Sequence, residues 1–148
     1  ILHAGDICDL AVLQQLEPLA QTFAVFGDWD NAEVKKYLQE KQRLEFAKRA
    51  VGLVHGHHAW EGGFWRRTLY RLNRTRRSET LYASVLSEFA DVDVIVFGHS
   101  HEPYIKMHGG VLLFNPGSFS KYRQQGSGGG VGILEIGAHA IKGRLIPI

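Results

Sequence analysis

The sequence predicts an α/β protein with a mixed sheet or two packed sheets. Three observations carry that expectation. The front half alternates short β-rich runs with helical spacings, the back half is a succession of hairpin signals, and four β-rich runs end on a glycine beside an acidic or imidazole residue. At 148 residues, 45% hydrophobic and 22% charged, the chain suits one globular domain over residues 1–148.

The elements follow in order. Residues 1–4 read as the end of a strand, and Leu10 to Leu13 with Leu16 and Leu19 as a helix that stops near Pro18, whose ring has no N–H to give. Residues 22–26 are β-rich and halt at Gly27-Asp28. Asn31 is placed to cap a short helix through Leu38, with Val34, Tyr37 and Leu38 on one face. Residues 44–54 read as one or two strands ending at His55-Gly56-His57. Ser78 is expected to cap a helix to about Ala90, carrying Leu81, Val85 and Phe89 at helical spacing. A strand over residues 92–97 stops at Gly98. Residues 104–108 and 111–114 flank Gly109-Gly110, a two-residue hairpin signal, and residues 131–136 and 140–146 flank a turn near Gly137. The glycine-rich stretch from Gly126 to Gly130 reads as a hairpin loop. No Gly-Lys-Ser/Thr follows it, as a phosphate cradle would require.

Composition excludes several classes. No apolar run approaches the roughly 18 residues of a membrane span, and the residues from Ile1 onward do not read as a basic-then-apolar leader. A single cysteine, Cys8, rules out an internal disulfide framework and a cysteine-based zinc finger, and fits a reducing compartment, with the cytoplasm as the expected location. The chain opens inside an apolar run and its one methionine is Met107, so an N-terminal piece is expected before Ile1. The net charge of +2 is uneven. Between Glu61 and Arg77 six arginines face one glutamate, +5 against −3 for the remainder. Within that stretch Trp65, Leu69 and Leu72 share a helical seam. A solvated helix docked by its seam is the expected arrangement, and polyanion contact through Arg66, Arg67, Arg71 and Arg74 is the functional alternative.

The chemistry concentrates at the glycine-terminated strand ends. In an extended segment His99 and His101 would point the same way, and Gly98 would let their backbone turn sharply and approach closely. Gly5-Asp6, Gly27-Asp28, His55-Gly56 and Gly98-His99 repeat one pattern, and in α/β sheets ligand sites gather where strands release the chain. Two carboxylates and three imidazoles without thiolate (Asp6, Asp28, His55, His99 and His101) suit Mn, Zn, Fe or Ni. Asp6 has two oxygens and can bridge two ions about 3.5–4 Å apart, which is a hydrolytic arrangement. His3 is expected to be a buried, hydrogen-bonded histidine rather than a partner of the ligands, and Cys8 a small buried hydrophobe. His108 and His139 receive no role.

In this order, His3-Ala4-Gly5-Asp6, Phe26-Gly27-Asp28-Trp29-Asp30, Val54-His55-Gly56-His57, Gly98-His99-Ser100-His101 and Asn115-Pro116-Gly117-Ser118 resemble the calcineurin-like metallophosphoesterases, closest to the small YfcE-type phosphodiesterases. The resemblance implies a two-sheet β-sandwich flanked by helices and a binuclear centre with two divalent ions, Mn first. It implies that Asp6 bridges, that Asp28, His55 and His99 complete one site, and that His101 belongs to the other. The latter's remaining ligands, a D-x-H strand, would lie before Ile1. Residues 115–118 would form a tight loop at the site's edge. The implied reaction is phosphodiester hydrolysis by a metal-bound hydroxide. Asp28 stands where the family has asparagine, and Trp29 where larger relatives carry a proton-donating histidine. His57 or His58 then becomes the candidate to contact phosphate or assist the leaving group. The alternative is a non-catalytic, metal-binding interaction scaffold on the same fold.

Overall fold

The structure is a computed structural model that describes residues 1–60, 74–120 and 129–148. Along the chain run β1 (Leu2–His3), α1 (Leu10–Leu16), β2 (Phe23–Ala24), α2 (Ala32–Tyr37), β3 (Lys41–Phe46), β4 (Arg49–Val54), a 3-10 turn (His57–Trp60), α3 (Arg74–Ser87), β5 (Val94–Phe97), β6 (Tyr104–His108), β7 (Val111–Asn115), β8 (Gly130–Ile136) and β9 (Ile141–Pro147). A five-stranded sheet has the order β3-β4-β5-β7-β6, and β1-β2 and β8-β9 form separate pairs.

The central strands β4, β5 and β7 run parallel, with β3 and β6 antiparallel at the two edges. Every residue of β5 is buried, as a parallel strand covered on both faces demands. The period of two then divides its side chains. Ile95 and Phe97 join Val54, Leu113 and the α3 residues Leu81 and Val85 in one core. Val94 and Val96 join Val51, Leu53, Leu112 and Phe114 in another, against Val25 and flanking residues from β1, β2, β8 and β9. The two small strand pairs thus supply the second layer of a sandwich, and α3 covers its outer face.

Local chemistry accounts for several of the element ends. Asn31 caps α2 by accepting the N–H groups of Glu33 and Val34, both at 3.0 Å, and Asp9 caps α1 by accepting that of Ala11 at 2.8 Å. Gly109 and Gly110 take the positive φ of 55° and 91° that the β6–β7 turn requires. Three expectations need correction. Residues 44–54 belong to a full hairpin that already begins at Lys41, turning through Ala47 and Lys48 at φ of 50° and 63° with no glycine to mark it. Ser78 lies inside α3, which includes Arg74, and is not its cap. The strand expected from residue 92 starts at Val94, and just before it the Asp93 carboxylate accepts from Arg49 Nη1 at 2.7 Å and the Ala50 N–H at 2.8 Å. Arg66, Arg67, Arg71, the Trp65-Leu69-Leu72 seam and Gly126 to Gly128 lie outside the described residues, while Arg74 is the first residue of α3. Among the described residues no helix is long and apolar enough to cross a membrane.

Candidate metal centre

β1 and β2 are parallel in one layer, β4 and β5 are parallel in the other, and the loops leaving all four converge. The two layers are tied there by the His55 ring. Its Nδ1–H donates to the Ala4 carbonyl at 2.6 Å, and the Gly98 N–H donates to the His55 carbonyl at 3.2 Å. With Nδ1 engaged as the donor, Nε2 of this 1% exposed imidazole faces the cleft.

Three donor atoms meet at that point. Asp28 Oδ1 lies 2.9 Å from His55 Nε2 and 3.1 Å from His99 Nδ1, and the two imidazole nitrogens are 3.3 Å apart. Asp6 spans the gap to His101: its Oδ1 is 3.5 Å from His55 Nε2 and its Oδ2 is 3.7 Å from His101 Nε2. All five residues singled out in the sequence are therefore neighbours. The backbone route differs from the one expected. His99 and His101 are not extended; both are left-handed, at φ of 65° and 57°, as is Asp6 at 58°. The sharp turn thus falls on the ligand-type residues themselves. Gly98 provides only the close approach, since a Cβ there would stand 2.9 Å from the Ala4 carbonyl oxygen. Gly27 does the same more severely, because its Cβ would fall 2.3 Å from Asp6 Oδ1.

Electrostatics divides the cluster. The hydrogen bond from His55, with the nearby His99, holds the Asp28 carboxyl well below the usual carboxylate range. Burial works against charge on His55, but the bond to Asp28 and the field of Asp6 prevail and raise its pKa. Burial and the adjacent His55 push His99 down to about 4. Asp6 is also burdened by burial, yet the bond from His101 and the charge of His55 lower its pKa. With both carboxylates ionised and His99 neutral at neutral pH, the donor set fits a divalent cation. Asp28, His55 and His99 place one ligand atom each within 4.8 Å of the others.

Two supporting residues carry no chemical signal of their own in the sequence. Asp30, 5% exposed, accepts the backbone N–H groups of Gly27 (2.7 Å), Asp6 (3.1 Å) and Cys8 (2.6 Å), locking the β1 and β2 loops together. Its place in the Phe26-Gly27-Asp28-Trp29-Asp30 motif is the only hint. Asn115 is fully buried and donates to the Gly98 carbonyl (2.9 Å) and Ser100 Oγ (3.0 Å), while its own oxygen accepts the Gly117 N–H (2.8 Å). The 115–118 loop therefore braces the His99-Ser100-His101 turn.

The remaining candidates lie around this group. Trp29 is 60% exposed and gives its backbone N–H to Asp6 Oδ1 at 3.0 Å. His57 stands next to His55, with ring centroids 5.7 Å apart, and its Nε2 is 3.8 Å from Glu40 Oε1, which His58 Nε2 also contacts. His3 is partly buried, but its Nδ1 finds no hydrogen-bond partner among the described residues, contrary to the bonded state expected. Cys8 is exposed instead of buried. It sits at φ 67° with its N–H on Asp30, and Ile7 fills the core in its place.

Carboxylate oxygens and imidazoles gathered at the ends of parallel strands, in a sandwich flanked by a helix, form a candidate metal centre. Residues 1–139 match the calcineurin-like phosphoesterase superfamily domain, and the chain belongs to that superfamily. The family implies divalent metal ions. The chain is 31% identical over 118 residues to a probable metallophosphoesterase of Methanocaldococcus jannaschii, covering 80% of this chain and 52% of that protein. It thus spans about half the length of this curated relative. Among solved structures, a novel archaeal phosphodiesterase superposes with a TM-score of 0.67 at 22% identity, covering 98% of this chain and 81% of the other. Zinc-bound Vps29 of Entamoeba histolytica gives 0.63 at 23%, covering 99% and 80%. At such identities these two likenesses speak for the fold alone.

Proposed function

We propose that this chain carries the centre of a metal-dependent phosphodiesterase, with Asp28, His55 and His99 holding one divalent cation, Mn²⁺ first and Zn²⁺, Fe²⁺ or Ni²⁺ as alternatives. The observation that carries the reading is the meeting of Asp28 Oδ1, His55 Nε2 and His99 Nδ1 within 2.9–3.3 Å of one another. Asp6 is given the bridging role because its two oxygens face different histidines, His55 and His101. His101 then belongs to a second cation position.

A bound divalent cation would lower the pKa of a water toward neutrality and neutralise charge on phosphoryl oxygens. The protein's share is positional and electrostatic. Ala4 holds the His55 tautomer, burial keeps His99 unprotonated, Asp30 fixes the Asp6 loop, and Asn115 fixes the turn that bears His99 and His101.

The test is hydrolysis of a bis-aryl phosphodiester by the full-length, Mn²⁺-loaded protein, beside its His99→Ala variant. Turnover that falls by more than roughly 100-fold in the variant is expected, beyond the range seen when only a supporting partner of a ligand is lost. Equal rates, or no turnover above the variant, overturn the enzyme reading and leave the interaction scaffold.

A further inference from the structure

We propose that Glu40, His57 and His58 form an accessory divalent-cation site, separate from the Asp28-His55-His99 group. These three side chains also place one donor atom each within 4.8 Å of one another, and none of them belongs to the first cluster. The shared focus is a single carboxylate oxygen. Glu40 Oε1 is in close contact with His58 Nε2 and lies 3.8 Å from His57 Nε2. His57 Nδ1 is buried, so Nε2 is the nitrogen that this ring offers to the focus.

The scaffold beneath these donors is firm. His57 and His58 open the 3-10 turn that directly follows His55 and Gly56, and Ala59 in the same turn is buried in the core under α3. Glu40 immediately precedes β3, whose first residue, Lys41, is registered opposite Val54, the last residue of β4. The β3–β4 ladder therefore delivers the carboxylate to the place where β4 releases its histidines. The two rings lie with centroids 4.2 Å apart and tilted by 37°, and the Nε2 of each approaches the same Glu40 oxygen.

One carboxylate oxygen and two imidazole nitrogens select Zn²⁺, Ni²⁺ or Co²⁺ over Mg²⁺ or Ca²⁺, which take oxygen-rich shells. The side chains of Glu40 and His58 are 45% and 38% exposed, against 14% for His57. Such a site has three protein ligands and an outer side open to solvent, leaving positions for water or a ligand oxygen. Its imidazoles are more exposed than those of the first cluster, where His55 and His99 are 2% and 9% exposed, so it exchanges its cation more readily. This gives His57 and His58 a task other than the leaving-group assistance that the sequence suggests, and the site needs no turnover to exist.

Equilibrium dialysis of the tag-free chain against Zn²⁺ tests the proposal. In an Asp28→Ala/His99→Ala background, one Zn²⁺ equivalent is expected to remain, and adding Glu40→Gln or His58→Gln is expected to weaken it at least tenfold. Binding in that background that ignores both added changes overturns the site, as does its absence in a background that keeps the unmutated protein's circular dichroism. A measurement on the unmutated chain covers failure of the background to fold. On Zn²⁺ titration the His57 and His58 Nε2 ¹⁵N resonances are expected to move to metal-bound positions, and resonances unchanged at saturation overturn the site. Because catalytic turnover is not read, failure here and failure of the phosphodiesterase reading are distinguishable.

Discussion

Asp30 shows how much of the centre rests on a residue with no direct chemistry. One buried carboxylate satisfies three backbone N–H groups from two loops, so Asp30→Asn replaces an acceptor by a donor facing an N–H. Leaving one such buried group unpaired costs about 1–3 kcal/mol, and denaturant unfolding of metal-free protein should show a loss of that size. Cation affinity should fall with it by roughly 10–100-fold, as read by dialysis. The histidines make a second prediction at this scale. His55 is raised above its ordinary 6.5 and His99 is lowered to about 4. Between those values metal-free protein should hold imidazolium at His55 and neutral imidazole at His99, and an NMR titration giving the reverse order would sink the electrostatic picture. The signs for stability follow. What His55 contributes is present below pH 6.5 and fades as pH rises through its raised folded value, whereas what neutral His99 contributes is present above 6.5 and is lost as pH falls toward 4.

At the scale of elements, the Asn31 cap, the Gly109-Gly110 hairpin and the buried β5 run were all legible in the sequence, because each has a local cause that acts on neighbouring residues. The turn through Ala47 and Lys48 was not, since neither residue advertises a left-handed backbone and only pairing of the flanking strands imposes it. Position decides the site in the same way. The five candidate ligands could be picked out because glycine punctuates the strand ends, but Asp30 and the Glu40 contact depend on which loops meet in space. Two substitutions probe these joints. Gly27→Ala should nearly abolish cation binding at the Asp28-His55-His99 group while leaving the accessory site, because its Cβ would stand 2.3 Å from Asp6 Oδ1, with a smaller effect on helix content by circular dichroism. Asn31→Ala should lower stability by about 1–2 kcal/mol, read by denaturant unfolding, since it removes the α2 cap and the hydrogen bond that Asn31 Nδ2 donates to the Cys8 carbonyl.

For the whole molecule, closing one ligand cluster from two layers couples the cation to folding. A cation at 100 times its dissociation constant should stabilise the protein by about 2.7 kcal/mol, visible as a rise in Tm that disappears in Asp28→Ala/His99→Ala if the accessory site is also removed. The uneven charge makes a separate prediction. If the arginine-rich stretch recruits anionic substrates, neutralising Arg71, Arg74 and Arg76 should raise KM and flatten its salt dependence, and an unchanged salt response would refute that role. The left-handed residues Asp6, His99 and His101 have a wider consequence. Each side chain there opposes its own backbone by roughly 1–2 kcal/mol. His99→Gly should therefore yield metal-free protein that resists denaturant better than His99→Ala, although both lack the ligand. Selection for a sturdier chain and selection for a working centre pull in opposite directions at these three positions, so the backbone itself records which of the two demands prevailed.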